Sequence, residues 1–194
     1  ECGRAPWPHA SNLGVMISID LMERFHVPGF IYDAPLADDF IDLAKVSGLP
    51  ELPIQRGAGH PLNEKAAGYR VAEKLGGKYS DYNFIICHLG GGITLSAHKK
   101  GRMIDLVSDE EGPFSPERTG GLPTFQTLEM ATKDGKSFRE LYKYVKTKGG
   151  LMGHLGTNDA RGVEKRIAGG DGLAALIYEA MAHNVSKFIG ALAT

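Results

Sequence analysis

Neither sign of charge dominates this chain. Lys and Arg number 22 against 23 Asp and Glu, and a formal net charge of −1 gives no long-range field to draw a polyanion such as nucleic acid. Cysteine is nearly absent: Cys2 and Cys87 make no disulfide framework, and Cys87, inside an apolar run, reads as a small buried hydrophobe. No apolar run approaches the length needed to cross a bilayer, and the opening ECGRAPWP has no signal-peptide architecture. Low-complexity tracts and internal repeats are missing too. With 194 residues, 42% of them hydrophobic, a cytoplasmic domain with one or two modest cores is expected, binding neither nucleic acid nor membrane.

Glycine, by contrast, is plentiful, and its clusters are informative. Gly90, Gly91 and Gly92 follow His88-Leu89 and separate a strand-like run, Tyr82 to Cys87, from a second alternating run, Thr94 to His98. Glycines in such a turn can take positive φ and let backbone N–H groups close on phosphate oxygens. The same triplet also serves a plain β-hairpin. Downstream, EGPFSPERTGGLP (Glu111 to Pro123) is too rich in Gly and Pro for helix or central strand, and it carries one arginine, Arg118. A guanidinium in rigid surroundings loses little entropy on reaching an oxyanion, and its planar fork suits phosphate or carboxylate. A solvated surface loop is the plainer alternative.

The periodicity predicts a helix capped by Ser11 and running to Phe25, with Leu13, Met16, Ile17 and Leu21 facing inward. A short buried strand is expected over Gly29–Asp33, a helical region over Pro35–Ser47, and a helix from Pro61 to Gly76-Gly77. Three strands follow near Tyr82–Cys87, Ile93–His98 and Arg102–Leu106, then helices near Ser137–Lys146, Asp159–Ala168 and Gly172–Leu192. The apolar stripe of the last helix, including Ile177, Met181, Val185 and Phe188, reads as core. A meander followed by helices begins an α/β layer whose later parallel strands do not arrive. There is no initiator methionine either, so the chain reads as the middle of a larger protein, with a domain boundary near Lys78–Asp81 that divides it into 1–79 and 80–194.

HLGGGITLSAHKKGRMID and EGPFSPERTGGLP, together with HASNLG, IYD, SGLP, NEKA and LGTNDAR in this order, resemble the acetate kinase family of carboxylate-phosphorylating enzymes, its butyrate-specific members above all. The resemblance runs from about His9 to Gly190. It implies an α/β, two-domain fold of the actin, hexokinase and sugar-kinase type (ribonuclease H-like), truncated here at both ends. It also implies reversible phosphoryl transfer between ATP and a short-chain carboxylate, with ATP or ADP and Mg²⁺ as cofactors and a homo-oligomeric assembly. Butyrate leads as substrate, with isobutyrate, propionate and acetate behind it. A carboxylic acid with a pKa of about 4 is already an anion at neutral pH, so no general base is needed. Catalysis would rest on positioning and on cationic groups around the phosphoryl.

On this resemblance Arg118 clamps the equatorial oxygens, His88 donates to the γ-phosphoryl group, and His60 stands at a helix start that favours an anion. Asp33 is placed at the active site, orienting Arg118 or holding a water of the Mg²⁺ shell, although a strand-end turn cap is its plain reading. Gly90, Gly91 and Gly92 contact phosphate. Asp159 and Arg161 align with the segment beside the adenosine, although Thr157-Asn158-Asp159 also reads as an N-cap. His9, Asn12 and Gly59 fall on the acyl-substrate side, Gly59 standing where relatives usually carry Phe. His98 and His154 match no catalytic motif. The family's opening phosphate segment, its closing Gly-rich adenosine segment and a second active-site arginine are not found. The alternative is therefore an inactive domain that retains at most phosphate or nucleotide binding, or self-association. A metal site of Asp33, His60 and His88 is disfavoured, because no ligand spacing recurs.

Overall fold

A computed structural model describes residues 12–33, 40–52, 59–108, 110–133 and 135–194, the side chain of Asn12 excepted. Cys2, His9 and Ser11 lie outside these residues. The chain divides into two compact units, 1–34 and 35–194.

In the first unit, α1 spans Asn12–Phe25 as the periodicity predicts. Its apolar stripe is not inward, however. Leu13, Met16, Ile17, Leu21 and Phe25 are all exposed, because no described element of that unit covers the helix. The expected buried strand Gly29–Asp33 is absent too. Phe30, Ile31 and Tyr32 are exposed and carry no ladder, since β-prone residues stay irregular without a strand to pair with.

The second unit is built on a three-stranded antiparallel meander, β1 (Asn83–Leu89), β2 (Ile93–Lys99) and β3 (Arg102–Val107), in the order β1-β2-β3. Cys87 pairs with Leu95 and Leu95 with Val107, while Ile86 pairs with Ser96 and Ser96 with Leu106. Alternation therefore gives the sheet two distinct faces. Met181, Val185, Phe188 and Leu192 of α7 (Gly172–Leu192) pack on Ile93, Leu95, Val107 and half-buried Cys87, which makes the stripe core as expected. The opposite face receives α2 (Pro61–Lys74), whose buried positions are Pro61, Glu64, Gly68 and Ala72. Gly68 lets the helix approach closely, since a Cβ there would meet Tyr79 at 2.7 Å and Ile86 at 3.1 Å.

Thr94, Ser96 and His98 of β2 look towards that helix and are buried. The His98 imidazole is bonded to the Tyr79 hydroxyl through Nδ1 and to Ser96 Oγ through Nε2. Burial, with Lys65 adding to it, pushes the ring down from 6.5 to about 4.

Helices α4 (Phe138–Thr147) and α6 (Ala160–Ala168) match their expected spans. Two helices were not foreseen: α3 (Thr124–Lys133) and the six-residue α5 (Gly150–Leu155). The helical region expected over Pro35–Ser47 reduces, among the described residues, to one 3₁₀ turn, Asp42–Lys45. Leu151, Val163 and Ala174 lock α5, α6 and α7 into a second small core. No helix among the described residues is long and apolar enough to cross a membrane.

Candidate functional site at the β1–β2 glycine turn

β1 extends to Leu89, so His88 belongs to the strand and pairs with Thr94 on the face that receives α2. His60 is the N-cap residue of α2, and Pro61 occupies the first turn, where its missing N–H costs nothing. Strand end and helix start thus bring the two histidines together. Their rings stack with centroids 3.8 Å apart and planes 8° from parallel. His60 Nδ1 bonds Thr94 Oγ1 at 2.9 Å, and His88 Nδ1–H donates to Asn63 Oδ1 at 3.2 Å. Two like charges at this separation would repel by about 4 kcal/mol at an effective dielectric of ~20. His88 Nε2 faces the glycine turn, 2.9 Å from where a Cβ on Gly90 would stand.

None of Gly90, Gly91 and Gly92 is left-handed, which corrects the expectation of positive φ. What the turn requires of Gly92 is close approach. A Cβ there would meet the Arg118 guanidinium, with Nη1 at 2.5 Å and Cζ at 2.7 Å. Arg118 therefore lies flat against the turn.

The arginine segment is irregular but pinned at nearly every residue. Ser115 Oγ donates to the Gly91 carbonyl at 2.7 Å and accepts from Arg118 N–H at 3.1 Å. Glu117 N–H donates to the same Gly91 carbonyl at 3.3 Å. The N–H groups of Gly149, Leu151 and Met152 reach the carbonyls of Glu117, Ser115 and Pro116. A side chain at Gly149 or Gly150 would run into the Ser115–Thr119 backbone, which is why the sequence carries Gly-Gly there. The loop is thus a rigid mount for Arg118 and not a solvated surface loop.

Asn158 Nδ2 donates to Glu117 Oε1 at 2.5 Å and ties this mount to the start of α6. There Asp159 is the N-cap, accepting from Arg161 N–H, and its carboxylate pairs with Arg161 Nε at 3.1 Å. The Arg161 hydrogen bond holds the Asp159 carboxyl below the usual range. Both side chains are exposed.

Gly59 lies beneath His60, and a Cβ on it would meet Thr94 Cγ2 and Leu106 Cδ1, each at 2.8 Å. A bulky residue would have to displace the Thr94 and Leu106 side chains. Asp33 belongs to the first unit, where it is half-buried with φ of 47°; it does not end a strand. His9 and the Asn12 side chain fall outside the described residues. Exposed His154 sits near Phe114. Among the described residues no group of three or more His, Cys, Asp or Glu could hold a metal ion.

Sequence reasoning missed Glu64. Its side chain is wholly buried on the sheet side of α2, and neither carboxyl oxygen has a hydrogen-bond partner. Burial pushes its carboxyl up from 4.5 to about 7, with the nearby Ser96 hydroxyl tempering the rise without satisfying either oxygen. The signal was available: Pro61, Glu64, Gly68 and Ala72 fall at i, i+3, i+7 and i+11, a face of small residues broken by one acid. Asn63, Thr94, Ser115, Glu117 and Asn158 were also missed, since each acts through a bond to a residue remote in sequence.

With this geometry in place, likeness to solved structures is informative. The acetate kinase of Porphyromonas gingivalis matches 94% of this chain and 49% of its own with a TM-score of 0.80 at 21% identity. A propionate kinase from Francisella tularensis matches 93% and 50%, with a TM-score of 0.76 at 22% identity. The fold is theirs, the actin and sugar-kinase type of α/β protein.

The Acetokinase family model matches residues 49–194, and the chain belongs to this family. It is 41% identical to a probable butyrate kinase of Enterococcus faecalis over 95% of its length, and 43% identical to one from Listeria welshimeri over 96%. A probable butyrate kinase 2 of Caldanaerobacter subterraneus is 44% identical over 95%. The chain spans about half the length of these relatives.

Proposed function

We propose that the protein containing these residues transfers a phosphoryl group between ATP and a short-chain carboxylate, butyrate first, giving an acyl phosphate and ADP. The observation that carries this reading is the Arg118 guanidinium held flat against Gly92 beside the stacked His60–His88 pair. One fixed cation and one chargeable pair flank a turn with little side-chain bulk, which suits an equatorial phosphoryl plane. Relatives named probable butyrate kinases support the choice of acceptor.

In this reading Arg118 and His88 meet the transferred group, His60 backs His88, and Gly90, Gly91 and Gly92 border the phosphates. Asp159 and Arg161 lie towards the adenosine. His9, Asn12 and Gly59 serve the acyl side, and Asp33 holds a water of the Mg²⁺ shell. Mg²⁺ bound through phosphate and water needs only one or two protein carboxylates, and Glu117 beside Gly91 fits such an outer position; the ion would neutralise phosphate charge. Residues 1–79 and 80–194 would belong to the acyl-side and nucleotide-side domains of a cytoplasmic homo-oligomer. The exposed apolar residues of α1 favour a second reading for the 194 residues alone, a domain that self-associates without turning over.

The test is acyl phosphate formation from butyrate, ATP and Mg²⁺, trapped with hydroxylamine, for the full-length protein and the 194-residue chain, with sedimentation alongside. Turnover is expected from the former and background from the latter. A full-length protein that phosphorylates no short-chain carboxylate would overturn the first reading, and a monodisperse, active 194-residue monomer the second.

A further inference from the structure

Two side chains near the glycine turn are joined by a bond that neither needs for its own segment. Glu117 is already held through its backbone: its N–H donates to the Gly91 carbonyl at 3.3 Å, and its carbonyl accepts from Gly149 N–H at 3.0 Å. Asn158 stands in a turn that closes without its side chain. There Asp159 N–H donates to Thr157 Oγ1 at 3.2 Å, and the Asp159 carboxylate caps α6 by accepting from Arg161 N–H at 3.1 Å. Yet Asn158 Nδ2 donates to Glu117 Oε1 at 2.5 Å, across 41 positions of sequence. Asn158 is exposed and Glu117 half-buried, so stability has little to gain from the bond.

What the bond connects gives it a purpose. Glu117 precedes Arg118, and their side chains lie along consecutive glycines: Glu117 Oε2 is 3.6 Å from where a Cβ on Gly91 would stand, and Arg118 Nη1 is 2.5 Å from the same point on Gly92. Asn158 precedes Asp159, whose carboxylate holds Arg161 Nε at 3.1 Å. In the phosphoryl-transfer reading, on which this inference rests, Arg118 and the Asp159–Arg161 pair meet opposite ends of one nucleotide. A ligand that spans two ends gains from both only when their spacing matches its own length.

We propose that Asn158 and Glu117 are a positioning pair that fixes the spacing between the Arg118 clamp and the Asp159–Arg161 end, so that ATP engages both at once. Backbone bonds make each end rigid by itself, and the side-chain bond sets one against the other. The small core of Leu151, Val163 and Ala174 includes no residue of 115–119 or 157–159, so it seats the body of α6 rather than the turn before it. The polarity of the bond is fixed by chemistry, since the amide N–H donates and an ionised carboxylate only accepts.

The experiment is calorimetric titration of the full-length protein with ATP and with adenosine in EDTA, so that any part Glu117 plays beside Mg²⁺ does not enter. Asn158→Ala removes the donor, and Asn158→Asp sets a carboxylate against Glu117. Both are expected to weaken ATP binding about fivefold or more, while adenosine, which touches one end, stays within about twofold of wild type. Glu117→Gln combined with Asn158→Asp keeps the net charge and reverses the bond, with the glutamine amide now donating. That double variant should recover ATP affinity to within about twofold of wild type. In steady-state assays with Mg²⁺, Asn158→Ala should lower kcat about tenfold with the KM for the carboxylate little changed. An Asn158→Ala protein that melts lower yet binds ATP as wild type does would show a merely structural bond and overturn the proposal, as would a double variant no better than Asn158→Asp. A wild-type protein that binds ATP but phosphorylates no carboxylate removes the kinase reading alone, and the binding comparison still decides the pair.

Discussion

Replacing Glu64 or His98 should expose two large pH terms that oppose each other in the wild-type protein. The Glu64 carboxyl is raised from 4.5 to about 7 by burial, so the folded state holds its proton more tightly than the unfolded chain. Its contribution to stability is complete below pH 4.5 and is lost as pH rises through about 7. His98 runs the other way: lowered from 6.5 to about 4, it contributes fully above pH 6.5 and loses this as pH falls through about 4. At 1.36 kcal/mol per unit, each term is at most about 3 kcal/mol. Between about pH 4.5 and 6.5 they nearly cancel, leaving a flat wild-type profile from this cluster. Glu64→Gln leaves only the histidine, so stability should climb with pH across this window. His98→Asn leaves only the acid, and stability should fall. With a urea m-value of about 2 kcal/mol per M, each midpoint moves by roughly 1.5 M across the range, in opposite directions. Urea unfolding followed by circular dichroism at half-unit steps from pH 4 to 7.5 reads this directly. Variant profiles running parallel to wild type would refute it, and with it the claim that burial shifts the two groups in opposite directions.

Two further outcomes concern the turn and its arginine. Gly92→Ala should fold with little change in stability, because φ there is not left-handed, yet its methyl group must push the Arg118 guanidinium aside. A displacement of this order typically costs about 10²-fold in turnover, and unchanged kcat in the full-length protein would show that Arg118 acts elsewhere. Arg118→Ala should depress kcat by about 10³-fold with a smaller change in ATP affinity, and Arg118→Lys should not restore it, since a point charge does not reproduce the fork. Near-normal steady-state turnover in the alanine variant would remove the clamp from the mechanism.

Local chemistry was legible in the sequence where a segment's partners are near in the chain. The meander β1–β3 follows from alternation and short turns, and α2, α4, α6 and α7 from caps and periodicity, because hairpins and capped helices are specified within a dozen residues. Ordered motifs likewise identified the family. Sequence misjudged Gly29–Asp33 and the face of α1, where β-propensity and apolar spacing require a partner that no described neighbour supplies. It named the glycine triplet but not its reason, since the close approach of Arg118 to Gly92 joins residues 26 apart. The stack of His60 on His88, the Ser115 and Glu117 bonds to Gly91, and the burial of Glu64 came only from the tertiary structure. Desolvation and long-range hydrogen bonding depend on which faces meet, and local sequence leaves the meeting of α2 with β1 and β2 undetermined.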